Sequence, residues 1–150
     1  MPPAHRETPL CDELLPILLV QHSLLVGPSE VIEVLRHQDV RHPGYPDWSI
    51  SCGGRTSWWE FKHGTPSFDD FKLQLQTCRR LARASNCRYV IWQEAASGHN
   101  PRTMIVHPDE VLRARRANSW WFTPEDSATG FDHAFIAQFI LRTHYGPLDA

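Results

Sequence analysis

Between Tyr45 and Lys62 the chain reads YPDWSISCGGRTSWWEFK, and this stretch holds two carboxylates and an amine, Asp47, Glu60 and Lys62, at spacings that can converge. Asp47 follows Pro46 at the mouth of the apolar run WSISC. Cys52-Gly53-Gly54-Arg55 then supplies the punctuation of a tight hairpin turn, so TSWWEFK returns antiparallel to the first run. Strand side chains alternate faces, which puts Trp58, Glu60 and Lys62 on one side and Trp59 and Phe61 on the other. On the first strand Asp47, Ser49 and Ser51 form the more polar set, opposite Trp48, Ile50 and Cys52. The polar faces meet at the open end of the hairpin and give Asp47, Glu60 and Lys62 one shared pocket.

The chemistry of such a trio is specific. One or two carboxylates, completed by waters and a substrate phosphate, are the usual way of holding Mg²⁺, for which Mn²⁺ substitutes. A bound Mg²⁺ polarises a phosphoryl oxygen, offsets charge on the leaving oxygen and lowers the pKa of its own water. Lys62, two residues from Glu60, is placed to orient that water or to neutralise developing phosphoryl charge. The expected reaction is phosphodiester hydrolysis.

Pro46-Asp47, then Glu60-Phe61-Lys62 thirteen positions beyond the aspartate, resembles the PD-(D/E)xK signature of restriction-endonuclease-like nucleases. The local texture, GYPDW before a glycine-containing turn and WEFK followed by a helix bearing Gln, is closest to virus-type replication-repair nuclease (VRR-NUC) domains and archaeal-type Holliday-junction resolvases. The resemblance spans roughly Ser29 to Glu94. It implies that Asp47 and Glu60 are metal ligands, that the Phe61 backbone carbonyl adds a third, and that Lys62 is the catalytic lysine. It also implies DNA, duplex or branched, as substrate, in repair, recombination or phage replication. Members often carry a further acid on a preceding helix, for which Glu30 is the candidate here, with Glu33 and Glu13 as others.

The remainder of the chain reads as scaffold. At 150 residues it suits one core, with residues 1–9 a flexible lead-in and 10–150 a single nuclease-like domain. The net charge of −2 means that any basic surface is local. Cys11, Cys52, Cys78 and Cys87 lack CxxC spacing and read as free thiols of a reducing cytoplasm. No apolar run reaches the roughly 18 residues of a membrane span, and the N-terminus lacks the order of a signal peptide, so a soluble cytoplasmic protein is expected.

The stretch LCDELLPILLVQHSLLV reads as a helix interrupted at Pro16 and followed by a short strand. Glu30 to Gln38 reads as a short helix after the Ser29 cap, with Val31, Ile32 and Leu35 buried. After the hairpin, Ser67 caps a helix running to Ser85. Its apolar stripe carries Phe68, Phe71, Leu75 and Cys78, and Gln74 lies at the edge of that stripe. Gln74 is therefore placed to order water or touch phosphate, or else is a buried amide satisfied by backbone. The outer face gathers Lys72, Arg79, Arg80 and Arg83, read either as solvated charges or as phosphate contacts, with Arg113, Arg115 and Arg116 a second cluster. His63, beside Lys62, is a phosphate contact or a loop histidine.

Cys87 to Glu94 and Thr103 to His107 read as strands, Pro108 opens a helix ending near Ala117, Ser119 to Phe122 reads as an edge strand and Pro124 to Gly130 as a polar loop. A last helix begins near Phe131 and presents an apolar face that covers the sheet or joins a second subunit in a homodimer. The expected architecture is α/β: a restriction-endonuclease-like core, αβββαβ-like, with a small mixed sheet flanked by helices. Two functions stay open, a Mg²⁺-dependent DNA endonuclease and a catalytically inactive module of the same fold that binds nucleic acid or protein. A third, an assembly protein, rests only on the acidic balance and six tryptophans.

Overall fold

The computed structural model describes residues 8–37, 45–64, 74–95, 98–119 and 122–148. In chain order the elements are α1 (Thr8–Val26), β1 (Glu33–Arg36), β2 (Trp48–Cys52), β3 (Arg55–Gly64), α2 (Leu75–Ala84), β4 (Cys87–Gln93), β5 (Arg102–Val106), α3 (Pro108–Arg116), β6 (Asp126–Thr129) and α4 (His133–Tyr145). The six strands lie side by side in sequence order. Only β3 and β4 run parallel, and α2 is the crossover that this direction requires; every other neighbouring pair is antiparallel. The expected mixed sheet flanked by helices is thus observed, and its first six elements run α–β–β–β–α–β.

Alternation along the central strands divides the interior into two layers. Trp48, Ile50, Cys52, Trp59, Phe61, Val90, Trp92 and Ile105 pack with Leu14 and Leu18 of α1 and Ile136, Ala137, Ile140 and Leu141 of α4. On the opposite face Tyr89, Ile91, Met104 and Val106 pack with Leu75 and Cys78 of α2 and Val111 and Ala114 of α3. Every hairpin side chain therefore falls on the face that a period of two assigns to it. The turn is the expected two-residue one: Gly53 and Gly54 both have positive φ, 59° and 75°, as a tight turn that matches strand twist demands.

The turn end of the hairpin is fastened to the C-terminal end of α4. His144 bonds the Cys52 carbonyl through Nδ1 (2.9 Å) and Ser57 Oγ through Nε2 (2.7 Å), and Trp59 Nε1 donates to the same hydroxyl. Tyr145 bonds His22 of α1 at 2.8 Å, and its ring lies so close to Gly53 that a Cβ there would sit 2.8 Å from Cε1.

Several expectations are corrected. Pro16 does not interrupt α1, which runs through it as one helix from Thr8; the proline lies on the exposed side, and Cys11, Leu14, Leu18 and His22 form the buried face. By length and composition α1 is apolar enough to cross a membrane, contrary to the reading that no segment is, although one face is taken up by α4 and the sheet. Helix α1 also begins before residue 10, so Thr8 and Pro9 belong to it, and residues 1–7 lie outside the described ones. Glu30 to His37 is not helical, and Gln38 lies outside the described residues: a turn at Gly27 leads into β1, whose Val34 faces the α1 layer while Glu33 and Leu35 face the other way. Residues 124–130, read as a loop, contain β6, an edge strand beside β5. Ser119 and Phe122 are not in a strand, and Trp120 and Trp121 lie outside the described residues.

Leu18 is fully buried whereas Leu24, on the same helix, is 81% exposed. Leu18→Ala is expected to cost about 2–5 kcal/mol in urea unfolding, and Leu24→Ala less than about 0.5 kcal/mol.

Candidate active site

The β2–β3 ladder ends at the Trp48–Trp59 pair, and one step beyond it the backbones are joined through carboxylates. The Asp47 N–H donates to Glu60 Oε1 at 3.0 Å, and the Phe61 N–H donates to Asp47 Oδ2 at 2.9 Å. Lys62 Nζ lies 3.2 Å from Glu60 Oε2, with side-chain exposures of 12% and 3%. The three residues that the sequence singled out therefore meet, on the face of β3 turned toward α2. Because a strand residue's N–H and C=O leave on the same edge, the Phe61 carbonyl also points toward Asp47.

This arrangement is electrostatically unfavourable on its own. Burial raises the Asp47 carboxyl above its ordinary value, against the pull of the Phe61 N–H and of Lys62. Glu60 is raised well above its own, by burial first and then by the Asp47 charge, with Lys62 opposing. With both acids ionised, one ammonium faces two carboxylates, so a proton or a cation is needed for balance. Among the described residues no group of three or more His, Cys, Asp or Glu side chains is gathered for a metal. Two carboxylates and a backbone carbonyl nevertheless make a donor set of the hard, oxygen-only kind that Mg²⁺ takes, with waters and substrate completing the shell.

Gln74 immediately precedes α2, one turn before Cys78, and the Cys78 thiol lies within electrostatic reach of Glu60, Lys62 and Asp47. The amide oxygen of Gln74 is buried and has no hydrogen-bond partner among the described residues. Such an atom is costly unless something fills the space before it, whether a backbone donor, as one of the two readings of Gln74 has it, or a ligand.

Other candidates are placed elsewhere. Glu30 sits exposed in the turn after α1, near His22 and Tyr145, rather than on a helix beside the site, and Glu13 pairs with His133. His63 alternates away from Lys62: its Nε2 pairs with Glu94 at 2.7 Å and its ring packs edge-on against Phe131, on the α1–α4 side. Arg79 is bound by Asp109 of α3 at 2.9 Å, whereas Arg80 and Arg83 are exposed on α2. Lys72 lies outside the described residues, as does Ser67. Sequence reasoning missed His37, whose backbone N–H donates to the Asp47 carbonyl (2.7 Å) and whose Nε2 bonds Ser49 Oγ (2.8 Å). Strand alternation from Glu33 would have placed it on the site's face; the helical reading of that stretch hid it.

No family model matches the chain, and no curated protein does either.

The raised folded-state value of Glu60 means that the folded chain holds this proton more tightly than the unfolded one. Its contribution to stability is then fully present below the ordinary value of 4.5 and is lost as pH rises through the folded value. In metal-free buffer Glu60→Gln is expected to be more stable than wild type at pH 8, with the difference shrinking as pH falls toward 4.5. Thermal melts of the two proteins across pH in metal-free buffer check this.

Proposed function

We propose that the chain is a Mg²⁺-dependent nuclease of the PD-(D/E)xK kind that hydrolyses DNA phosphodiester bonds, with VRR-NUC and junction-resolving enzymes as its nearest functional analogues. The observation that carries this reading is the buried junction of Asp47, Glu60 and Lys62, in which two carboxylates are held against each other with one compensating charge. A protein that needed only to close a hairpin would use backbone groups there, since burying ionised carboxylates is unfavourable.

Asp47 and Glu60, with the Phe61 carbonyl, would hold the metal ion. When bound, Mg²⁺ supplies Lewis-acid polarisation of a phosphoryl oxygen and a more acidic water. Lys62 lies beside Glu60 and offers an ammonium that donates to the attacking water or to a non-bridging oxygen as charge builds on it. The Asp47 N–H and Phe61 N–H fix the two carboxylates in orientation before substrate arrives, so little reorganisation remains for the reaction itself. Gln74 Oε1 would accept a hydrogen bond from an ordered water or sugar hydroxyl.

The second reading, a non-catalytic module of the same architecture, is favoured by one feature: both carboxylates already serve as acceptors for backbone N–H groups and so have a structural use. Incubation of plasmid, linear duplex, single-stranded and four-way-junction DNA with the protein and Mg²⁺ or Mn²⁺ separates the two. Metal-dependent cleavage that falls at least about a hundredfold in Asp47→Ala, Glu60→Ala and Lys62→Ala is the expected outcome. Identical traces for wild type and the three variants would leave the binding module.

A further inference from the structure

Beside the carboxylates stand three aromatic rings that this chemistry does not use. His37 stacks on Trp58, with centroids 5.2 Å apart and planes inclined by 28°. Tyr45 lies 6.1 Å from Trp58 and 6.4 Å from His37, inclined by 42° and 37°. The three come from separate places, the end of β1, the approach to β2 and the middle of β3, yet each is tied to the site. His37 holds the Asp47 carbonyl, Tyr45 is two residues before Asp47, and Trp58 is two before Glu60 on the same face of β3.

The cluster is not ordinary core. Tyr45 is 46% exposed, and His37 and Trp58 are half-buried. Trp58 touches only the margin of the α2–α3 layer. Leu35, on the same face of the neighbouring strand, is itself 48% exposed, and among the described residues no helix packs on this side of β1, where α1 covers the other. Exposed aromatic surface returns little burial energy, and rings set at stacking distance with accessible surface are the usual platform for a planar ligand. The His37 ring is fixed in place by its bond to Ser49 Oγ.

We infer that Tyr45, Trp58 and His37 form a stacking platform for an unpaired nucleobase, which would seat a single-stranded or unstacked nucleotide next to the Asp47–Glu60 site. The inference rests on the nuclease reading and narrows it: the preferred substrate has unpaired bases at the position being cut. Base-on-ring stacking tolerates any base, so the platform selects strand state rather than sequence.

The test uses three fluorescein-labelled probes of equal length: a thymidine single strand, the same backbone with abasic residues, and a duplex. Binding is followed by fluorescence anisotropy in Ca²⁺ buffer, which fills a hard-cation site while cleavage is scored separately in Mg²⁺. Wild type is expected to bind the thymidine strand about tenfold more tightly than the abasic one, Tyr45→Phe to keep that ratio, and Tyr45→Leu to bring it within about twofold. Trp58→Leu gives the same collapse, and near-ultraviolet circular dichroism reports whether that variant retains its fold. Equal affinity of wild type for natural and abasic strands, or no binding to either, would overturn the platform even if Mg²⁺-dependent cleavage were present. Base preference without cleavage in Mg²⁺ would support the platform and remove the hydrolase.

Discussion

The structure turns on how two carboxylates are kept in an interior that does not favour them. One step beyond the last β2–β3 pair, the Asp47 and Glu60 side chains each accept an N–H from the opposite segment. The strands can then end their ladder without orphaned donors, and the carboxylates are oriented by the same bonds. Glu60 is only 2% exposed, so its charge relies on Lys62 and on whatever cation or proton joins them. Everything around the pair serves this: β4 and α2 cover it, Trp48 and Trp59 fill the opposite face, and β1 supplies His37 to the open edge.

What could be read from the sequence was local and periodic. Alternation in WSISC and TSWWEFK, with Gly53-Gly54 between, is a signal that tertiary context rarely overturns, because slipping the register by one residue would send Trp48, Trp59 and Phe61 to the wrong face. The convergence of Asp47, Glu60 and Lys62 follows from that register alone. Cys87 to Glu94 was legible because a strand buried on both faces is almost uniformly apolar.

The misreadings have equally physical roots. In EVIEVLRHQ the apolar residues fit a helix at Val31, Ile32 and Leu35 and a strand at Ile32 and Val34, and the β-branched content tips the balance once a neighbouring strand offers hydrogen bonds. That error also took Glu30 for a site residue and concealed His37. The sequence DSAT carries no apolar pattern because β6 is an edge strand, half of it in water. Pro16 costs α1 a backbone bond, but on the outer face the freed carbonyl can turn to solvent, and burial of Leu14 and Leu18 outweighs it. Gln74 was expected inside a helix capped by Ser67, whereas it stands as the residue before α2, and the surroundings of its amide are set by packing that no periodicity reports.

The hairpin's attachment to α4 has a mechanical meaning. His144 and Tyr145 grip the turn through Cys52, Ser57 and the absent side chain of Gly53, while the carboxylates stand at the far end of the same two strands. The hairpin is in effect a beam held at both ends, by α4 at its turn and by β1 and β4 along its open half. Neither end swings by itself, so the separation of Asp47 and Glu60 is set by the sheet register that both ends share. A substitution at Gly53 or His144 would loosen the turn and act on the two carboxylates only through the strands they share, without touching either of them.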